Sequence, residues 1–146
     1  MTRVWELLAA SSLFVMFYML AVHWSELPER VPSHFNADGE PDRWTGPYRL
    51  WFMPAVATPL YVVLTGIARA QRKKDTEAAE ALADGLAMGK AFAMLGAAWI
   101  HFEVLLIATG LLKTPGPWSM AVTAAATGLA WMMTWVRYRR LSRKAV

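Results

Sequence analysis

The segment from Leu27 to Trp44 carries side chains whose types and spacing could do chemistry. One imidazole and several hard oxygens fall close together there, at His34, Asn36, Asp38, Glu40 and Asp42. Imidazole nitrogen is a ligand for zinc, and carboxylate and amide oxygens are ligands for calcium, so a metal site is the first chemistry to weigh. The same side chains also close turns by hydrogen-bonding to nearby backbone groups.

The pattern does not favour a metal. A calcium loop needs a glutamate at its twelfth position, and the twelfth position counted from Asn36 is Pro47. Zinc would need further nitrogen or sulfur ligands, but only His23 is near and the chain has no cysteine. We therefore expect neither a metal nor a cofactor. Two interpretations stay open: these side chains fix the shape of the segment, or the ordered segment recognises a ligand or a partner.

A second set, His101 and Glu103, lies in the middle of a long apolar block. Ionisable groups at membrane depth are costly, and they indicate a functional site by default. A spacing of two residues places them roughly 200° apart around a helix, so they face different neighbours. The alternatives are a carboxyl group that links helices and a proton-relay or substrate site.

Four apolar blocks must position these residues, and each reaches the roughly 20 residues that cross a hydrocarbon core of about 30 Å. Hydrophobic residues make up 56% of the chain, a high fraction for a soluble domain. We predict an all-α fold, an integral membrane bundle of four transmembrane helices with an ordered extracytoplasmic loop. Its single membrane domain, 1–146, has helices at about 4–23, 50–69, 90–112 and 117–136 and an outward loop at 24–49.

The placement of Lys and Arg predicts the orientation, because cytoplasmic segments carry an excess of both. Basic residues concentrate between the second and third helices and in the tail 137–146. Those between the helices are Arg69, Arg72, Lys73, Lys74 and Lys90. Both termini should therefore be cytoplasmic. The net charge of +4 indicates this topology and contact with anionic lipid headgroups, and does not indicate nucleic-acid binding.

The segment 70–89 is rich in Ala, Glu and Lys, which are strong helix formers. It extends the third helix or forms a separate helix at the inner surface, where Gly85 and Gly89 could break it. Glu6, near the inner end of the first helix, is expected to snorkel or to pair with Arg3.

The loop order L-P-x-x-V-P-x-H-F-N-x-x-G-x-P-D-x-W resembles the N-terminal domain of the SdpI-type family of bacterial immunity and signalling membrane proteins. The residues that carry the resemblance are Leu27, Pro28, Pro32, His34, Phe35, Asn36, Gly39, Pro41, Asp42 and Trp44. It covers helix one, the loop and the start of helix two, roughly the first third of the chain. The resemblance implies a bacterial plasma-membrane protein with this motif on the outer side.

These features support a binding, sensing or immunity-like protein that acts through its outward loop. The residues expected to recognise a ligand or partner are His34, Phe35, Asn36, Gly39, Asp42 and Trp44. The alternative is a non-catalytic accessory subunit of a larger membrane complex. A transporter or membrane enzyme ranks third, because no G-x-S-x-G, H-E-x-x-H or P-loop pattern occurs, and we expect no enzyme. The expected partners are the lipid bilayer, a membrane protein or second copy, and an extracytoplasmic peptide.

Overall fold

The computed structural model describes residues 2–116 and 119–142. Its four helices are α1 (Thr2–His23), α2 (Phe52–Arg72), α3 (Glu77–Ala108) and α4 (Ser119–Ser142). Between α1 and α2 lie two short 3-10 helices (Trp24–Glu26 and Pro47–Trp51) and an antiparallel hairpin of β1 (Val31–Phe35) and β2 (Pro41–Thr45). The fold is mostly helical, and the hairpin adds a small sheet that the predicted all-α class did not include.

Within the described residues, three helical segments are long and apolar enough to cross a membrane: Arg3–Glu26, Pro47–Arg72 and Glu77–Ala108. They contain the first three apolar blocks of the sequence, which supports a membrane protein. α4 coincides with the fourth block and continues into the basic tail, but it is not among these three segments.

α3 begins at Glu77, well before the predicted start near residue 90, so most of the segment 70–89 is the first half of this helix. The Thr76 side chain caps it by accepting a hydrogen bond from the Ala79 backbone N–H at 3.2 Å. Glu77 and Glu80 in the first turn suit the positive end of the helix dipole. Of the two alternatives for this segment, the extension of helix three is observed.

α3 packs against all three other helices, and small residues bring α4 close to it. Gly85 faces Thr134 and Gly96 faces Thr123, so tightly that a Cβ at either glycine would overlap the threonine side chain. Glycine has a low helix propensity, but at these two positions it lets the two helices approach closely.

The hairpin is held on the helices by a buried cluster. Val31 of β1 packs with Leu20 of α1, Leu50 of the second 3-10 helix and Leu105 of α3. Val31 and Leu20 are fully buried. This cluster fixes the hairpin over one end of α3, which positions the site described next.

Candidate functional site

Asn36 closes the hairpin turn. Its side-chain Oδ1 accepts hydrogen bonds from the backbone N–H groups of Asp38, at 3.0 Å, and Glu40, at 2.8 Å. Gly39 adopts a φ of +79°, a left-handed conformation that glycine enters without steric cost. The turn is therefore shaped by side-chain and backbone hydrogen bonds, which is the shape-fixing role anticipated for Asn36.

His34 and Asp42 bond to each other across the two strands. His34 Nδ1 lies 2.6 Å from Asp42 Oδ1. Both side chains are substantially exposed, so the pair contributes little to stability. Its main consequence is orientation, because a partner on Nδ1 fixes the ring and leaves Nε2 for another contact.

A cleft of about 750 Å³ lies beside the hairpin. Its walls come from β1 and the turn, from the second 3-10 helix and the start of α2, from the second half of α3, and from the connection after α3. The α2 and α3 walls include Phe52, Met53, Ile100 and Val104, and the second 3-10 helix contributes Arg49. An apolar lining with a few polar groups, at this volume, is typical of a ligand site.

His101 belongs to the lining of the same cleft, and only 1% of this residue is exposed. Its ring hydrogen-bonds to the Met16 backbone of α1. Nε2 has no hydrogen-bond partner among the described residues. A buried polar atom without a partner costs about 1–3 kcal/mol, so it calls for an explanation, and a bound ligand is one.

Glu103, also buried, holds the connection that follows α3. Its Oε1 accepts a hydrogen bond from the Gly116 backbone N–H at 3.1 Å. Gly116 lines the cleft, whereas Glu103 does not. The Glu103 carboxyl group therefore holds the connection after α3, which forms one wall of the cleft, without lining the cleft itself.

The structure brings together residues that the sequence placed in two separate sets. His34, Phe35, Asn36 and Gly39 line the cleft together with the buried residue His101 of α3. Asp42 acts through its bond to His34. Trp44 stands apart, because it lies in β2 opposite Pro32, half exposed and outside the cleft lining.

The burial of Lys90 was not predicted from the sequence. This residue is fully buried, and its Nζ donates to Glu6 Oε2 at 2.7 Å and to Thr65 Oγ1 at 2.6 Å. Nζ also lies 4.4 Å from the centroid of the Tyr61 ring, within cation–π range. Lys90 thus joins α1, α2 and α3 and is not a free surface charge, and Glu6 pairs with it although Arg3 was the expected partner.

One sequence signal could have found this pair. Glu6 is the single charged residue between Val4 and Val22, and Lys90 stands at the start of the third apolar block. Opposite charges at the ends of two predicted spans that are expected on the same side of the membrane can pair once the helices pack together. As for metals, residues 2–116 and 119–142 hold no group of three or more His, Cys, Asp or Glu side chains placed to bind an ion.

Comparison with known proteins gives a family without an assigned role. Residues 12–58, from within α1 through the hairpin to the start of α2, match the model of a domain of unknown function, DUF1648. An uncharacterized protein of Archaeoglobus fulgidus is 54% identical over 33 residues, which cover 23% of this chain and 18% of that protein. No solved structure matches the chain. The matches fit a small membrane protein that carries a domain of unknown function.

Proposed function

We propose that the chain is a bacterial plasma-membrane protein that binds an extracytoplasmic peptide in the cleft between the hairpin and α3, in a sensing or immunity-like role. One observation carries the proposal: the hairpin residues and His101 of α3 line the same cleft. Loops held in a fixed shape by a rigid scaffold commonly carry binding function. The SdpI-type resemblance of the loop sequence supports the sensing or immunity role.

The proposed topology has four spans with both termini in the cytoplasm. Its first support is the placement of basic residues in the connection between α2 and α3 and in the tail 137–146. In a four-span topology both regions lie on the same side of the membrane, and an excess of Lys and Arg marks the cytoplasmic side. Its second support is the packing of α4, whose Thr123 and Thr134 contact Gly96 and Gly85 along α3. A helix in such close contact with a membrane-spanning helix shares its depth. The hairpin then faces outward.

A peptide suits the chemistry of the cleft walls. Phe35 and Phe52 supply aromatic surface for side chains. Asn36, Arg49 and Thr114 supply polar groups for a peptide backbone or a terminal carboxylate. Recognition of this kind requires no catalysis, and we propose a non-enzymatic role.

Photo-crosslinking in producing cells tests the binding proposal. The photoreactive residue p-benzoylphenylalanine would replace Phe52, which is half exposed and lines the cleft. The matched control replaces Val62, which lies on the same helix, is 60% exposed, and is outside the cleft lining. Polypeptide adducts at position 52 and not at position 62 support the proposal. Equal adducts at both positions, or none at either, contradict it.

An accessory subunit is the second candidate, and a second groove favours it. This groove, of about 930 Å³, lies between the first half of α3 and the last part of α4. It carries Glu80 and Asp84 on one side and Arg137 and Arg140 on the other, over an apolar floor. Purification in mild detergent tests this role: a stoichiometric membrane partner supports it, and isolation of the chain alone contradicts it.

A further inference from the structure

We infer that His101 sets the specificity of the cleft, by accepting a hydrogen bond at Nε2 from an N–H or O–H group on an apolar part of the ligand. The inference rests on the proposed binding role of the cleft. It adds the chemistry of the ligand group that would bind at His101. Two independent observations carry it: the unpartnered Nε2, and the membership of His101 in the cleft lining.

The bonding of the ring decides that Nε2 accepts. The Met16 backbone bond leaves Nε2 unpartnered, so it involves the other nitrogen, Nδ1. A backbone carbonyl can only accept, so Nδ1 must carry the hydrogen in this bond. In a neutral imidazole the other nitrogen is then an acceptor. A ligand group that satisfies Nε2 must therefore be a donor.

The surroundings of His101 decide what carries the donor. Its neighbours in the lining on α3, Ile100 and Val104, are apolar and half buried, and Phe52 and Met53 face the cleft from α2. Nε2 itself exposes less than 1 Å², so a ligand reaches it by displacing a neighbouring side chain rather than through bulk water. A rigid apolar body with one donor, such as the indole of a tryptophan side chain, meets both requirements.

The expected preference for a ligand with the donor follows from the free energy of one hydrogen bond. A neutral hydrogen bond contributes about 0.5–1.5 kcal/mol net, which corresponds to roughly a two- to tenfold difference in affinity. Because a ligand without the donor would leave Nε2 buried and unpaired, we expect the upper part of that range.

The test compares indole with 1-methylindole, which has the same aromatic body without the N–H group. The full chain, with ¹⁵N-labelled histidine, would be placed in lipid nanodiscs, and binding would be followed by the Nε2 resonance of His101. We expect indole to bind roughly tenfold more tightly and to shift that resonance, and 1-methylindole to leave it unshifted. Equal affinities, an unshifted resonance with both compounds, or no binding of indole would overturn the inference.

Two variants complete the experiment. His101→Phe keeps an aromatic ring and removes the acceptor, so the preference for indole should disappear. Thr127→Val is the matched control, because Thr127 Oγ1 is also buried and unpartnered but lies on α4, outside the cleft lining. It should keep the preference. A preference that persists in His101→Phe overturns the inference, and if that variant does not fold, the wild-type resonance decides.

Failure of the His101 inference can be distinguished from failure of the binding proposal. Polypeptide adducts at position 52 without any donor preference would overturn the role of His101 and leave the binding proposal intact. A donor preference without polypeptide adducts would contradict the peptide and leave the His101 subsite intact.

Discussion

Lys90 Nζ lies 2.7 Å from Glu6 Oε2 and joins the first helix to the third. The ammonium group is fully buried and has Thr65 and the Tyr61 ring as further partners. A buried ammonium group is tolerated only when its partners replace water. Three helices therefore meet at the Lys90 ammonium group.

Removing that charge should destabilise the bundle. Lys90→Met leaves the Glu6 carboxylate without its partner, and breaking a fully buried pair costs roughly 3–5 kcal/mol. Because the Glu6 side chain is about one-third exposed, we expect a smaller loss, about 2 kcal/mol. The measurement is the free energy of unfolding in lipid or mild detergent.

The control for this prediction is Lys113→Met, which removes an exposed lysine in the connection after α3. It should change the free energy of unfolding by less than about 0.5 kcal/mol. The double variant Glu6→Gln with Lys90→Met should recover part of the loss, because no charge is then left unpaired. Equal effects of Lys90→Met and Lys113→Met would show that the buried pair does not stabilise the bundle.

The close packing of α3 against α4 at Gly96 gives a second prediction. A Cβ at position 96 would overlap the Thr123 side chain, so Gly96→Ala should cost about 1–3 kcal/mol through overpacking. Gly66→Ala is the control, because that glycine on α2 has open space around it and alanine favours a helix. Thermal unfolding compares the two variants.

A second substitution on α4 should reverse part of the destabilisation caused by Gly96→Ala. Adding Thr123→Ala removes the atoms that a new Cβ would meet most closely, so the double variant should regain part of the lost stability. Indistinguishable melting temperatures for Gly96→Ala and Gly66→Ala would contradict the packing of the two helices at this point.

The third prediction concerns the hairpin turn. Asn36→Ala removes the oxygen that accepts the Asp38 and Glu40 amide hydrogens. Each bond contributes about 0.5–1.5 kcal/mol, so hydrogen exchange at those two amides should quicken by up to roughly tenfold each. Because the turn is largely exposed, water replaces part of both bonds, so the free energy of unfolding should fall by less than the sum of the two contributions.

The same variant links the turn to function. If the turn shapes the cleft, crosslinking from position 52 should fall in Asn36→Ala while the abundance of the protein stays normal. Glu29→Gln, an exposed change ahead of β1, should leave both exchange and crosslinking unchanged. Unaltered exchange at Asp38 and Glu40 in Asn36→Ala would contradict the side-chain closure of the turn.

Local patterns in the sequence predicted local structure well. Apolar runs predicted four spans, and three of the described helical segments are long and apolar enough to cross a membrane. Asn36 and Gly39 were assigned to a turn-forming segment, and both lie between the two strands of the hairpin. These features depend on neighbours within a few residues, which is the information that periodicity and turn chemistry contain.

Long-range pairings were beyond the sequence for a physical reason. Which residue of α3 meets Glu6, and that His101 lies beside the hairpin, depend on how the helices rotate and slide against each other. Gly96 and Gly85 set that register for α4 through contacts with single threonines. One sequence contains the small residues but not their partners, so the joint cleft could not be assembled from it.

The last prediction separates two roles for Glu103. Glu103 Oε1 accepts a hydrogen bond from the Gly116 backbone N–H, and a neutral amide oxygen can accept the same bond. Glu103→Gln should therefore preserve the cleft and the crosslinks from position 52, whereas Glu103→Leu should weaken them by releasing the connection that carries Gly116. Quickened exchange of the Gly116 amide in Glu103→Leu alone would confirm the support of the wall. Loss of crosslinking in Glu103→Gln at normal abundance would show instead that the carboxyl group itself is needed, because this substitution keeps the acceptor and removes the ionisable group.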